Sequence, residues 1–184
     1  IAGVPVIAIH GTHERRGSHM VNPVETLAAA GLLIHLHLGY VVLEKDGERV
    51  AVHGMSGVPE LQARDALKAW DPKPVENAHN IIMFHQSFKE VVYDTAATLE
   101  FGDLPPGFDL YINGHIHWTS VTEKDGKKIL HPGSTITTQM RKNEAENPKG
   151  FYFYDTSTQE FEFVPLETQR KLYYKELKAA GSPA

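Results

Sequence analysis

Three short histidine-bearing segments contain the residues most able to do chemistry in this sequence. They are Gly11-Thr12-His13-Glu14, His85-Gln86-Ser87 and Gly114-His115-Ile116-His117. Each follows an apolar run that predicts a buried strand, and ligands gather where the carboxyl ends of strands bring loops together. Neutral imidazole is the commonest nitrogen ligand of metal ions. A single histidine at a strand end is usually structural, but three such segments together predict a metal site.

The Gly-His-Ile-His segment has a spacing that suits two neighbouring metal ions. Gly114 lets the backbone turn tightly. In an extended run, His115 and His117 share one face while Ile116 points to the other. A centre with two ions about 3.5–4 Å apart clamps the attacking and leaving oxygens of a phosphoryl displacement. The segment therefore favours phosphoryl-transfer chemistry.

Strands dominate the predicted secondary structure. Three apolar runs lead into the histidine segments: Val4–His10, Asn80–His85 and Phe108–Asn113. Asp-Gly pairs at residues 46–47 and 125–126 follow strand-like runs and predict hairpins. We expect one domain over residues 1–165 and the start of a capping region or tail over residues 166–184.

Two helices are predicted from their end signals and their periodicity. Asn22 is a good N-cap for a helix that Gly31 closes. The segment Pro59–Trp70 is a short amphipathic helix, and its pattern predicts that Leu61, Leu67 and Trp70 face inward.

The composition excludes several classes of protein. The 184 residues contain no cysteine, so disulfides and thiolate metal sites are excluded and a cytoplasmic location is the default. No apolar run is long enough to cross a membrane. A net charge of -5 argues against a large electrostatic attraction to nucleic acid, although bound cations can neutralise phosphate locally. His35 and His37 alternate with apolar residues and predict only a solvated strand face.

The three segments resemble the motifs of calcineurin-like metallophosphoesterases. Residues 9–14 resemble their Gly-Asn-His-Asp/Glu motif, residues 80–86 their single-histidine strand, and residues 108–117 their Gly-His-x-His strand. A further set of segments is similar to the signature of the DNA double-strand-break repair nucleases in that superfamily: Pro132-Gly133-Ser134, Thr137, Glu144-Ala145 and Pro148-Lys149-Gly150. The resemblance extends from residue 1 to about residue 170.

This resemblance implies an α/β fold, a four-layer α/β/β/α sandwich, with two divalent metal ions, usually manganese. It implies that His85 and His115 bind one ion and that His117 binds the other. His13 is then not a ligand, but lies near the scissile phosphate, where it stabilises developing charge and helps to protonate the leaving oxygen. Mixed imidazole and oxygen ligation suits manganese without excluding zinc or iron.

The sequence departs from the family pattern at two places. Thr12 stands where the family has Asn, and because a neutral hydroxyl is a poorer ligand than an amide carbonyl, Thr12 is a weak ligand at best. The family also begins with an Asp-x-His motif and a Gly-Asp motif whose Asp bridges both metals. No Asp-x-His occurs here, and Gly102-Asp103 is interpreted as an unrelated loop. We therefore expect an N-terminally truncated domain that alone binds metal weakly and lacks nuclease activity.

Four neighbours of these segments are candidates for supporting roles. Arg15 and Arg16 are candidates for contacts with phosphate or DNA, and the alternative for both is a solvated basic turn. Glu14 and His131 are candidates for hydrogen bonds that orient the metal-binding side chains. For His131, a packing role is equally expected.

Two functional hypotheses follow. The first is a metal-dependent nuclease that acts on DNA ends, for which the resemblance implies a homodimer and a coiled-coil ATPase partner. The second is a degenerate, non-catalytic domain that binds DNA or a partner protein, with Thr12 marking the loss of the site. A phosphoesterase for a small substrate is a third reading, and the nuclease-like segment from Pro132 to Gly150 argues against it.

Overall fold

The computed structural model describes residues 3–17, 20–92 and 99–177, which form a mixed α/β fold with a large central sheet and few helices. The helices are α1 (Pro23–Ala29), α2 (Glu60–Trp70) and α3 (Lys142–Glu146). The strands are β1 (Ile7–Ala8), β2 (Ile34–His35), β3 (Gly39–Lys45), β4 (Glu48–Met55), β5 (His79–Phe84), β6 (Leu110–Asn113), β7 (Thr119–Lys124), β8 (Lys127–Pro132), β9 (Gly150–Asp155) and β10 (Glu160–Pro165).

The α/β class predicted from the sequence is confirmed, whereas the four-layer arrangement stays a prediction. The chain divides into two compact units: residues 1–115 with 120–131, and residues 116–119 with 132–184. The predicted domain boundary at residue 165 also stays a prediction. Residues 178–184 of the expected capping region lie outside the described residues.

A six-stranded sheet carries most of the first unit, with the strand order β3-β4-β5-β6-β8-β7. Neighbouring strands from β4 through β5 and β6 to β8 are parallel, while β3 is antiparallel to β4. Because parallel strands end at the same edge of a sheet, the residues that follow β5 and β6 are brought together. Those residues include His85 and His115.

Two hairpin turns form where the Asp-Gly pairs predict them. Asp46 and Gly47 have φ angles of 53° and 84°, and Lys45 pairs with Glu48 across the turn. The second pair, at residues 125 and 126, has φ angles of 53° and 71°. Two consecutive residues with positive φ match the right-handed twist of the flanking strands.

Helix α1 has the end signals that the sequence predicts. The Asn22 side chain accepts a hydrogen bond from the Glu25 N–H at 2.9 Å, and the Glu25 carboxylate accepts one from the Asn22 N–H at 3.4 Å. This reciprocal pair satisfies two backbone donors at the start of the helix. Gly31 follows the helix with a φ of 71°, the left-handed conformation that favours glycine.

Helix α2 packs against the core of the first unit through Ala63 and Leu67. Leu67 is 5% exposed, whereas Leu61 is 79% exposed, so the prediction that Leu61 faces inward is wrong. Residues four apart share a helix face, and Leu61 is offset by two positions from Ala63, which places it on the opposite face. The core itself is rich in aromatic side chains, among them Phe84 and Tyr111.

The long buried strand predicted for Val4–His10 is wrong in extent. Only Ile7 and Ala8 pair as a strand, in parallel with Ile34 and His35 of β2. Val4 is 74% exposed and Val6 is 55% exposed in the described part of the chain. An apolar run gives no information about how many residues find a pairing partner, and here the pairing ends after two.

The second unit contains α3 and the antiparallel hairpin of β9 and β10. Aromatic pairs join the two strands, with the Tyr152 and Phe163 rings 5.1 Å apart and the Tyr154 and Phe161 rings 4.9 Å apart. The five-residue helix α3 was not predicted from the sequence. No helix within residues 3–17, 20–92 and 99–177 is both long and apolar enough to cross a membrane.

Candidate metal centre

Two imidazoles meet at the carboxyl ends of β5 and β6. Phe84 and Asn113 are paired at the end of these strands, His85 follows the first strand, and His115 follows the second. His115 Nδ1 lies 3.3 Å from His85 Nε2, and the two rings are nearly perpendicular, with centroids 5.0 Å apart. Both side chains are half-buried.

Asn113 holds the two histidine-bearing loops together. Its Oδ1 accepts hydrogen bonds from the Gln86 N–H at 3.2 Å and from the His115 N–H at 3.4 Å, and its Nδ2 donates to the Gln86 carbonyl at 2.9 Å. The Asn113 side chain is 1% exposed, so water does not replace these bonds. The backbone of each histidine loop is thereby fixed to the same side chain.

The first histidine loop lies against the same imidazole pair. A Cβ atom at Gly11 would be 2.6 Å from Cε1 and 2.9 Å from Nε2 of His85, so a side chain at position 11 would force this ring to shift. Gly57 packs nearby, where a Cβ atom would be 3.4 Å from both the Thr12 nitrogen and the His85 carbonyl oxygen. The loops that carry Thr12 and His85 therefore approach each other at Gly57.

Hydrogen bonds within the first loop fix its shape. Glu14 Oε2 accepts from the Gly11 N–H at 3.0 Å, and the Arg15 N–H donates to the Gly11 carbonyl at 3.2 Å. The Arg16 guanidinium donates to the His13 carbonyl at 2.6 Å, while the His13 side chain is exposed. Glu14 and Arg16 therefore stabilise the conformation of the loop through these hydrogen bonds. The predicted roles of Glu14 behind a ligand, and of Arg15 and Arg16 at phosphate, stay predictions.

The spacing of the imidazole pair fits one divalent cation. Two nitrogens about 2.1 Å from the same ion, at an angle of about 90–110°, are about 3.0–3.4 Å apart, and the observed nitrogens are 3.3 Å apart. Within the described residues, however, no group of three or more His, Asp or Glu side chains has the arrangement needed to hold a metal ion. His85 and His115 are thus candidates for part of a coordination sphere, and the exposed Thr12 hydroxyl is a candidate to add to it.

His117 belongs to the second unit, where it has its own polar surroundings. Its Nδ1 lies 2.8 Å from Glu144 Oε1 and 2.7 Å from Thr138 Oγ1. The sequence predicts that His117 joins His13, His85 and His115 in one site, and this convergence stays a prediction. What the structure adds is a set of residues that hold His117 within its own unit.

Glu144 and Lys149 form a buried ion pair behind His117. Lys149 Nζ is 2.8 Å from Glu144 Oε2, and the side chains are 4% and 3% exposed. Burial by itself raises the pKa of the Glu144 carboxyl. The hydrogen bonds from Lys149 and His117, the Lys149 charge and the Thr138 N–H outweigh that effect, so the pKa lies below its ordinary value. Glu144 is therefore a carboxylate at neutral pH.

His131 is fully buried in the first unit. Its Nδ1 lies 3.3 Å from Ser120 Oγ, and its Nε2 has no hydrogen-bond partner among the described residues. Burial lowers the pKa of His131 to about 4, so the ring is neutral at physiological pH. These contacts describe a packed core histidine, and its predicted support of a metal ligand stays a prediction.

The solvated face predicted for His35 and His37 is correct only for His37, which is exposed. His35 is half-buried, with its Nε2 3.1 Å from Ser56 Oγ. Both rings lie against the buried His10 ring, at centroid distances of 5.4 and 5.9 Å. Burial and the neighbouring His10 lower the pKa of both His35 and His37.

Several residues of the site were missed by reasoning from the sequence. The segment containing Glu144 and Lys149 was noticed only as a family signature, and the clamp by Asn113 was not anticipated. An asparagine at the end of a buried strand, directly before Gly-His, is a local signal that could have indicated Asn113. The contact between His117 and Glu144 has no such signal, because 27 residues separate them.

No family model matches the chain. DNA double-strand break repair protein Mre11 of Methanopyrus kandleri is 31% identical over 190 residues, covering 92% of this chain and 42% of the relative. The Mre11 protein of Saccharolobus solfataricus is 28% identical and covers 84% of this chain and 41% of the relative. Double-strand break repair protein MRE11 of Encephalitozoon cuniculi is 26% identical and covers 95% and 33%.

The chain thus spans about two fifths or less of the length of these curated relatives. Among solved structures, a protein assigned as a 5′-nucleotidase from Staphylococcus aureus, in complex with alpha-ketoglutarate, superposes with a TM-score of 0.46 at 15% identity. That match covers 96% of this chain and 40% of the nucleotidase.

Proposed function

Because the chain belongs to the calcineurin-like metallophosphoesterase superfamily and is homologous to Mre11 repair proteins, we propose that it is a metal-dependent DNA nuclease that processes the ends of double-strand breaks. The observation that carries the proposal is the imidazole pair of His85 and His115, whose nitrogens lie 3.3 Å apart at the ends of two adjacent parallel strands. This is the arrangement that two ligands of one divalent ion require.

In the proposed site, His85 and His115 hold one divalent ion, weakly helped by Thr12, and His117 holds a second. Ions bound there, with manganese as our expectation, would supply Lewis-acid stabilisation of the charge that develops on a phosphodiester during hydrolysis. Gly11 lies against the His85 ring, and Asn113 binds the backbone of the loops that carry His85 and His115. His13 protonates the leaving oxygen from the exposed side of its loop.

Contacts to DNA are proposed for Arg15 and Arg16, which follow His13. A net charge of -5 argues against a broad basic surface as the source of affinity. We propose instead that the metal ions and these two arginines provide the attraction to phosphate. A homodimer, a coiled-coil ATPase partner and a cytoplasmic location complete the proposal. The homodimer and the ATPase partner rest on the family resemblance alone, and the cytoplasmic location rests on the absence of cysteine.

The second candidate function is a degenerate domain that binds DNA or a partner protein without cleaving. The specific observation in its favour is Thr12, which stands where the metallophosphoesterase motif has an asparagine that binds metal. We also propose that residues 1–184 by themselves bind metal weakly and do not cleave DNA, because two neighbouring ions repel strongly without a bridging carboxylate.

The test measures manganese-dependent cleavage of linear duplex DNA by the whole natural protein. We expect activity in the wild type and its loss in His85→Ala and in His117→Ala, while the exposed His37→Ala retains it. Cleavage that is unchanged in either ligand variant would refute the assignment. If the wild type is inactive but Thr12→Asn gains manganese binding and cleavage, the degenerate reading is correct.

A further inference from the structure

We propose that Glu144 is a positioning residue that keeps the proton of His117 on Nδ1, so that Nε2 retains the lone pair needed to bind a divalent cation. That His117 binds a cation is taken from the proposed function, on which this inference rests. The position of the proton follows from contacts within the second unit. Glu144 is not among the residues that the sequence pattern assigns to the site.

The contact itself determines the tautomer. His117 Nδ1 and Glu144 Oε1 are 2.8 Å apart, a hydrogen-bond distance, and a carboxylate can only accept. The proton between them must therefore belong to Nδ1. A neutral imidazole carries one N–H, which leaves Nε2 as an acceptor or a metal ligand.

Thr138 is compatible with this assignment but does not decide it. Its Oγ1 lies 2.7 Å from His117 Nδ1 and 3.4 Å from Glu144 Oε1. A hydroxyl both donates and accepts, so it can face either tautomer. With the proton on Nδ1, the carboxylate and the hydroxyl share this one N–H as acceptors, and the hydroxyl donates to the carboxylate.

Lys149 keeps the acceptor charged and in place. Its ammonium group has three donors, and three acceptors surround it: Glu144 Oε2 at 2.8 Å, Ser134 Oγ at 2.9 Å and the His117 carbonyl at 3.2 Å. Lys149 thus connects the carboxylate to the backbone of the same histidine whose ring that carboxylate contacts. Because both charged side chains are at most 4% exposed, the geometry of this group is fixed by packing.

The expected effect on metal binding follows from the way histidine ligands are supported in proteins. A ligating imidazole usually donates its second N–H to a carboxylate or carbonyl, which fixes ring orientation and raises basicity. Loss of such a partner typically weakens metal binding by about 10–100-fold. We expect an effect of this size for Glu144.

The first measurement uses nitrogen NMR of the metal-free protein to determine the His117 tautomer, which is independent of activity. We expect the Nδ1–H form in the wild type. The variant Glu144→Leu with Lys149→Met removes both charges and so avoids a lone buried ion. We expect this variant to populate both tautomers, and its Kd for Mn²⁺ in calorimetry to rise by about 10–100-fold.

The matched control is Lys142→Met with Glu146→Leu, which removes a Lys–Glu pair from the same helix where both side chains are 62% exposed. We expect its tautomer and its Mn²⁺ affinity to equal those of the wild type. Glu144→Gln keeps an acceptor oxygen and should restore part of the Nδ1–H population and of the affinity. It also serves as the test variant if the double replacement does not fold.

An Nε2–H tautomer in the wild type would overturn the inference. So would a folded Glu144 variant with unchanged tautomer and unchanged Mn²⁺ affinity. A purely structural role of Glu144 would lower the Tm without altering the tautomer of the folded protein. Absence of Mn²⁺ binding by the whole natural protein, when it shows the Nδ1–H form, would count against the proposed function and not against the Glu144 contact.

Discussion

Gly11 and His85 are in direct contact, so close that a Cβ atom at position 11 would lie 2.6 Å from Cε1 of the imidazole. The two residues are 74 positions apart in the sequence. The glycine at position 11 is therefore required by a tertiary contact, and its φ is not in the left-handed region. Its absence of a side chain allows the first histidine loop to lie on the ring that we propose to bind metal.

Replacement of Gly11 by alanine should displace the His85 ring. The new methyl group would overlap Cε1 and Nε2, so the ring must move away from His115, and overpacking costs about 1–3 kcal/mol. We expect weaker Mn²⁺ binding in calorimetry and a changed NMR signal of His85. The control is Gly17→Ala in the same loop, where no described residue other than its chain neighbours lies within 4 Å of the added Cβ. Equal Mn²⁺ affinity in both variants would show that the contact does not position His85.

Replacement of Asn113 by leucine should loosen both histidine loops at once. The variant leaves the N–H groups of Gln86 and His115 and the Gln86 carbonyl without their buried partner. We expect the free energy of unfolding to fall by about 2–4 kcal/mol. Amide hydrogen exchange of Gln86 and His115 should accelerate more than that of Ile82 in the middle of β5. Uniform acceleration across the sheet would mean that Asn113 contributes only general stability.

The burial of His131 predicts a pH-dependent stability. Its pKa in the folded protein is about 4, below the ordinary value of 6.5, so the unfolded chain binds more protons between these values. Stability is therefore complete above about pH 6.5 and declines as the pH falls towards 4. The decline that His131 causes is at most about 3–4 kcal/mol.

Chemical denaturation at several pH values measures this effect. The slope of unfolding free energy against pH should be shallower in His131→Leu than in the wild type. The remaining slope comes from other groups, including His35, His37 and His53, whose pKa values are also lowered mainly by burial. Identical slopes in the two proteins would argue that His131 protonates freely in the folded state.

The two leucines of α2 should differ sharply in their contribution to stability. Leu67 is 5% exposed within the core, and its replacement by alanine should cost about 2–5 kcal/mol. Leu61 is 79% exposed, and Leu61→Ala should change the free energy of unfolding by less than about 0.5 kcal/mol. Denaturant titration of both variants decides this, and a large loss in Leu61→Ala would reveal a covering surface at that position.

Features that depend on local chemistry were predictable from the sequence. The Asp46-Gly47 turn and the Asn22 cap are determined by residues within a few positions, and both form as predicted. The proximity of His85 and His115 follows from apolar runs that become adjacent parallel strands. Each of these signals is contained in one short segment.

Features that depend on distant partners were not predictable in the same way. The length of β1 is determined by where its pairing with β2 ends, and the orientation of Leu61 by which face of α2 meets the core. The ion pair of Glu144 and Lys149 likewise depends on a distant residue, because Glu144 contacts His117, which lies 27 residues before it. Spacing and residue type give no information about such contacts.

The three hydrogen bonds of Lys149 also affect how the chain responds to salt. A buried ammonium group neutralised by Glu144 cannot displace counterions from a polyanion, because it never reaches the phosphates. Among the basic residues of the chain, Lys149 therefore adds nothing to the ionic-strength dependence of DNA association. A count of lysines and arginines therefore overestimates by one the positive charges that this segment can present to DNA.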